Sequence, residues 1–128
     1  RPGCDIWATD VCVPISKLAE CISATKKDLS KSSLIAPLVS HAGDGNFHLG
    51  FIIDRDNPNE IKEAEELNER LIMRALSMDG TCTGEHGIGI GKMKFLNAEH
   101  GEGVSLMRQI KNTFDPNNIM NPGKIFTP

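Results

Sequence analysis

The sequence contains no tyrosine, one tryptophan and five phenylalanines in 128 residues, and no lysine or arginine cluster is interleaved with those few rings. Nucleic-acid binding draws on basic patches and stacking platforms, so nucleic acid is excluded as a partner, and a net charge of −3 points the same way. No apolar run approaches the roughly 20 residues a membrane-spanning helix needs, and no signal-peptide pattern opens the chain, so the expectation is a soluble protein. Cys4, Cys12, Cys21 and Cys82 form no CxxC pair and are too sparse for a disulfide scaffold; reduced thiols in an intracellular compartment are expected. Repeats and low-complexity segments are absent. The length suits one domain with its own core. Arg1 stands where a methionine would start a chain, which leads us to expect a piece of something longer.

What the chain does have is glycine around histidine. Ser40-His41-Ala42-Gly43-Asp44-Gly45-Asn46-Phe47-His48 and Thr83-Gly84-Glu85-His86-Gly87-Ile88-Gly89 together hold three of the four histidines and an adjacent carboxylate. Glycine lets the backbone turn sharply and brings side chains together. Two imidazoles and one carboxylate are a suitable ligand set for a divalent ion such as Zn²⁺ or Mn²⁺, with positions left open for water or substrate.

The surrounding pattern predicts an α+β domain with a largely antiparallel sheet of about four strands, ferredoxin-like in character and covered by helices. Residues 1–8 have no period and read as an irregular lead-in. Thr9 to Val13 is short and β-branched and reads as a strand; Pro14 suits the first turn of a helix carrying Ile15, Leu18, Ala19 and Ile22 at helical spacing. Leu34 to Ser40 reads as a second strand whose Pro37 marks an edge or bulge, and Phe47 to Asp54 as a third. The tight turn Gly43-Asp44-Gly45-Asn46 joins them into a hairpin, which puts His41 and His48 at its closed end. His48 then shares a face with Gly50 and Ile52, opposite Phe47, Leu49 and Phe51.

Pro58 opens a long helix with the stripe Ile61, Ala64, Leu67, Leu71, Ile72, Ala75 and Leu76, and Gly80 is the expected C′ residue. The acidic run along it reads as a solvated face. Thr81 to Thr83 is predicted as a fourth short strand. Residues 88–96 read equally as loop or short helix, whereas Gly103 to Phe114 is helical and stops before Asp115-Pro116.

Several rival motifs fail on spacing. Gly87-Ile88-Gly89-Ile90-Gly91-Lys92 would need glycine at His86 and serine or threonine at Met93 to be a P-loop, and glycine at Lys92 to be a dinucleotide fingerprint. Asp44 and Asn46 lack the further oxygen ligands of an EF-hand and read as turn residues. There is no HExxH. His100 sits alone and reads as a helix-end or surface residue. If Glu85 binds an ion with His41 and His48, then His86 is left beside it as a general base. A stand-alone ligand- or metal-binding module, or a metal-dependent hydrolase, would use the same donors.

Four segments in this order resemble a known family: Thr9-Asp10-Val11-Cys12-Val13-Pro14, His41 to His48, Gly84 to Gly89, and Asp115 to Lys124. They are similar to the C-terminal domain of FAD-linked D-2-hydroxyacid dehydrogenases of the vanillyl-alcohol oxidase type. That family includes cytochrome-type D-lactate dehydrogenase, glycolate oxidase and D-2-hydroxyglutarate dehydrogenase. The resemblance implies that residues 1–128 are a single C-terminal substrate- and metal-binding cap domain. An N-terminal FAD-binding domain, absent here, would complete the enzyme. It implies metal ligands at His41, His48 and Glu85, a catalytic base at His86 and a flavin contact at Asn121. The implied substrate is a small 2-hydroxy acid, oxidised to the 2-oxo acid with hydride transfer to FAD, and a cytochrome or quinone would take the electrons onward. A cytoplasmic or mitochondrial-matrix location, peripheral membrane attachment and a homo-oligomer are all compatible with it. The hydroxyglutarate branch has lysine and asparagine where Ala8 and Gly50 stand, so a shorter acid such as lactate is implied.

Overall fold

A computed structural model describes residues 2–126 of the chain, which fall into two units meeting at the Glu85–His86 bond. In the first unit β1 (Asp5–Ala8), β2 (Val11–Cys12), α1 (Ile15–Leu29), β3 (Leu38–His41), β4 (Asn46–Ile53) and α2 (Pro58–Ser77) follow in order. The second holds α3 (Met93–His100) and α4 (Gly103–Phe114). Four helices and an open antiparallel sheet of four strands, among the described residues, make the fold α+β as the pattern predicts.

β4 is the axis of the sheet. On one side β3 pairs with it from Leu38 opposite Leu49 to His41 opposite Asn46, and the Ile35–Ile52 bridge continues the same register past Pro37. The proline costs no hydrogen bond on that side because its carbonyl, not a missing N–H, meets the Gly50 amide at 3.0 Å. On the other side β1 places Ala8 opposite Gly50 and β2 places Val11 opposite Phe47. The two segments keep one register and form a single edge strand interrupted at Thr9-Asp10.

Alternation along β4 sends Phe47, Leu49, Phe51 and Ile53 into the core, while His48, Gly50 and Ile52 face outward, as the two-residue period predicts. The buried face meets α2 through Ala64, Leu67, Leu71, Ile72 and Ala75, and α1 packs beside α2 with Leu18 and Cys21 buried. Burying five such α2 side chains stabilises the unit by roughly 1.5–3 kcal/mol for each large one. Arg74 of α2 reaches Thr25 Oγ1 at 2.9 Å and pairs with Asp28, locking the two helices together.

Three local expectations are corrected. Residues 5–8 form an edge strand; it is mostly exposed on both faces, so its side chains carry no apolar alternation to read. Regular pairing in the next segment covers only Val11–Cys12, and Thr81 alone, of residues 81–83, bridges to Cys12, so the fourth strand is β1. Finally, Asp79 is the left-handed residue after α2 (φ 60°), and Gly80 is glycine for another reason: a Cβ there would lie 2.4 Å from the Cys12 carbonyl oxygen. Residues 89–92 form turns, and helix begins at Met93.

In the second unit α3 packs on α4 with Phe95, Leu96 and Val104 buried. After α4 the buried Asp115 carboxylate accepts the amides of Ile119 and Met120, each at 2.9 Å, and pairs with Lys111. The Lys111 ammonium hydrogen bond, above all, holds the Asp115 carboxyl below its ordinary value. Ile125 N–H donates to the Gly89 carbonyl at 2.7 Å, tying the tail to the glycine turn.

Candidate metal centre

The hairpin delivers the two imidazoles. His41 ends β3 opposite Asn46, two residues before His48 on β4, so both rings rise from the outer face of the sheet. Gly45, in the turn between them, has φ +76° and approaches Val13 so closely that a Cβ would lie 2.0 Å from its carbonyl oxygen; only glycine makes this turn. The rings meet edge to face with centroids 5.8 Å apart. Glu85, arriving on the loop after Thr81, places Oε1 3.0 Å from His48 Nε2 and 3.5 Å from His41 Nε2. One donor atom from each of the three lies within 4.8 Å of the others.

Ring orientation follows from the interrupted edge strand. Thr9 N–H donates to the Leu49 carbonyl at 2.8 Å, but the returning Leu49 N–H goes to the Thr9 hydroxyl, also at 2.8 Å. The Thr9 carbonyl is thereby released from the ladder and accepts from His48 Nδ1 at 3.0 Å. A carbonyl can only accept, so Nδ1 carries the hydrogen and Nε2 is aimed at Glu85. An acceptor nitrogen and a carboxylate oxygen 3.0 Å apart repel unless a cation or proton lies between them. Two nitrogens and one oxygen are a borderline donor set, and a backbone carbonyl behind the ligating ring is the usual second support of such a ligand. The residues therefore fit a divalent ion. His48 is the sheltered member, its side chain 14 % exposed against 57 % for His41 and 50 % for Glu85, which leaves one side of the trio open to a small ligand.

Cys12, Asp44, Asn46 and Gly84 line the recess beside His41 and Glu85. Burial, and then the carboxylates of Asp10 and Asp44, push the Cys12 thiol above its ordinary 9.0; the neutral Sγ–H donates to the Asp44 carbonyl at 3.2 Å.

Residues 1–125 match the family described as FAD linked oxidases, C-terminal domain. The chain belongs to that family. It is 55 % identical over 128 residues to D-lactate dehydrogenase (cytochrome), mitochondrial, of Arabidopsis thaliana, covering 99 % of this chain and 23 % of that protein. D-lactate dehydrogenase (cytochrome) 1, mitochondrial, of Saccharomyces cerevisiae is 54 % identical over 122 residues, covering 94 % and 20 %. The glycolate oxidase subunit GlcD of Bacillus subtilis is 36 % identical over 118 residues, covering 91 % and 25 %. The chain thus spans about a quarter of the length of the curated relatives it matches.

Of the site residues expected in this FAD-linked oxidase domain, His41, His48 and Glu85 converge. His86 follows Glu85 directly and opens the second unit. Asn121 lies in the tail of that unit, in a left-handed conformation (φ 49°), on the rim of a recess with Arg108, Lys111 and Lys124. His100 ends α3 and is exposed, as its isolation in the sequence predicts. Thr9, Asp10 and Asn46 stand behind the trio; each falls inside a segment that carries the family resemblance, but none has a site role of its own in the sequence reading. For Thr9 and Asp10 the local signal is the β-branched stretch ending at Pro14, which locates a strand but not its interruption, and for Asn46 it is the tight turn, which locates a hairpin but not a buried amide.

Proposed function

We propose that this chain is the substrate-binding cap of an FAD-dependent dehydrogenase for a small D-2-hydroxy acid, D-lactate in the first instance, and that it is the C-terminal domain of a longer protein. The observation that carries the reading is the convergence of His41 Nε2, His48 Nε2 and Glu85 Oε1 on one point of the open sheet face, in a chain of this family.

In this reading His41, His48 and Glu85 hold a divalent ion, Zn²⁺ or Mn²⁺, and Asn121 contacts FAD, which is bound mainly by the N-terminal domain. When bound, the ion supplies positive charge for the carboxylate and hydroxyl of the substrate, and FAD supplies the two-electron acceptor for the C2 hydride. The chain's own residues position and deprotonate. The Thr9 carbonyl fixes the His48 ring, and His86, next in sequence to Glu85, takes the hydroxyl proton as general base.

Substrate size is read from the neighbours of His48. Ala8 and Gly50 are directly paired across β1 and β4, two residues along the same face. Neither offers a polar group to a second carboxylate, which favours lactate over a diacid. Exposed Ile6, Ile35 and Val39 surround the same face with apolar surface, suited to being covered by the flavin domain. The relatives' names support a mitochondrial location and a cytochrome as electron acceptor, with a quinone as the alternative. No helix among the described residues is long and apolar enough to cross a membrane.

The test is to purify the longer protein that carries this chain, look for bound FAD by its visible absorption, and assay dye reduction with D-lactate. Bound flavin with D-lactate-dependent reduction is expected. Loss of both from the well-folded protein would remove the dehydrogenase reading and leave a metal-binding module.

A further inference from the structure

The buried carboxylate behind the three ligands has no assigned role. Asp10 is 1 % exposed and lies in the interruption between β1 and β2, where the edge strand leaves the ladder. Its two oxygens face two different elements. Oδ1 accepts from Asn46 Nδ2 at 2.7 Å, and Asn46 also donates to the Val11 carbonyl at 2.9 Å; the same Oδ1 is 3.8 Å from His48 Nδ1. Oδ2 accepts from the Glu85 amide at 2.9 Å and from the Thr83 hydroxyl at 2.8 Å. One side chain therefore joins the strand that carries His48 to the loop that carries Glu85. The fit around it is tight, because a Cβ on Gly84 would come 1.9 Å from Asn46 Nδ2 and 2.8 Å from Asp10 Oδ1.

We infer that Asp10 is a positioning residue of the metal centre: it sets the Glu85 carboxylate against His48 Nε2 by anchoring the Thr83–Glu85 loop to β4. The inference rests on the metal reading of the trio. A buried carboxylate that receives a backbone amide and a hydroxyl at these distances fixes a loop more narrowly than the glycine-flanked backbone does unaided. Its negative charge, 3.8 Å from the His48 ring, also strengthens the ring as a donor to a cation. Asp10 is 1 % exposed and so closed off from any ligand on the sheet face, and its effect passes through Glu85 and His48.

Asparagine is the same size and keeps one acceptor oxygen but cannot accept on both sides, since its nitrogen only donates. Calorimetric titration of the 128-residue chain with Zn²⁺ is expected to give Asp10→Asn an affinity about 10- to 100-fold below wild type. The Co²⁺-loaded variant is expected to show a displaced visible d–d band. A role confined to folding would leave that band where the wild-type ligands put it. If Asp10→Asn fails to fold, Thr83→Val, which removes one of the bonds to Oδ2 at a half-buried position, carries the test and is expected to weaken Zn²⁺ several-fold. Wild-type Zn²⁺ affinity and band position in a folded Asp10→Asn, or unchanged affinity in Thr83→Val where only that variant folds, overturns the inference and leaves the metal reading standing. A wild-type chain that takes up neither Zn²⁺ nor Mn²⁺ overturns both.

Discussion

At the scale of single residues the proposed function assigns His41, His48 and Glu85 to holding a cation and His86 to moving a proton, and the two roles separate in single variants. His41→Ala and His48→Ala each remove a donor nitrogen from a set of three, so metal content after dialysis should fall to background in either variant. His86→Ala should abolish D-lactate turnover in the longer protein while metal analysis finds the ion still bound; metal loss in that variant would make His86 a ligand instead. Gly84 gives a different kind of prediction. Its hydrogen faces Asn46 and Asp10 with no room for a methyl group, so Gly84→Ala must displace the loop that carries Glu85. A destabilisation of roughly 1–3 kcal/mol is expected for such overpacking, read from the chemical denaturation midpoint, together with weaker Zn²⁺ binding. The convergence of His41, His48 and Glu85 was legible in the sequence because each sits in or beside a glycine turn. The residues behind them were not legible. Thr9 supports His48 only because its hydroxyl replaces its carbonyl in the ladder, and that exchange depends on a register that no local pattern reveals.

Among the elements, long periodic segments were read well and short edge segments poorly. α1, α2 and α4 stand where their apolar spacing puts them, and the hairpin of β3 and β4 follows from its turn. β1 reads as an irregular lead-in because an edge strand exposed on both faces has no amphipathic pattern, whereas Thr81 to Thr83 reads as a full strand although only Thr81 makes a bridge, since β-branched propensity does not report pairing length. The interruption between β1 and β2 carries a prediction of its own. Thr9→Val keeps the shape but strands the buried Leu49 N–H, which should cost about 1–3 kcal/mol. Where the Thr9 carbonyl turns back into the ladder to take that N–H, stability is recovered but His48 loses its support, and Zn²⁺ affinity should fall instead. The end of α4 supplies a pH test. The Asp115 carboxyl is held below its ordinary 3.8 by Lys111 and by the Ile119 and Met120 amides. A depressed folded-state value means that its stabilising contribution is complete above the unfolded value, near 3.8, and is lost as pH falls below it through the folded value. The difference in melting temperature between wild type and Asp115→Asn should therefore be full near neutral pH and shrink only in strong acid. A constant difference across that range would show that the carboxylate's charge is not what anchors the tail.

For the molecule as a whole, the chain brings together three side chains whose donors could hold a cation, and it spans only a quarter of its relatives' length. The glycine turn of residues 87–91 has the wrong spacing to cradle a dinucleotide. Binding and oxidation should then separate cleanly. The outer sheet face presents His41 and His48, with Glu85 reaching them from its loop and exposed Ile6, Ile35 and Val39 around them, so in the proposed reading the cation site belongs to this chain and the hydride acceptor to the flavin domain. The 128-residue chain should bind Zn²⁺ in a calorimetric titration, give no change in flavin fluorescence when mixed with FAD, and reduce no dye with D-lactate. Adding the flavin-binding domain in trans should restore dye reduction in proportion to the complex formed, because the missing component is the electron acceptor and not the proton acceptor. If the chain alone oxidised D-lactate, the acceptor would have to lie within these residues, and the division of the reaction between two domains would be wrong. If it bound FAD tightly but still did nothing with D-lactate, the division would stand, with the cofactor assigned to the wrong side of it.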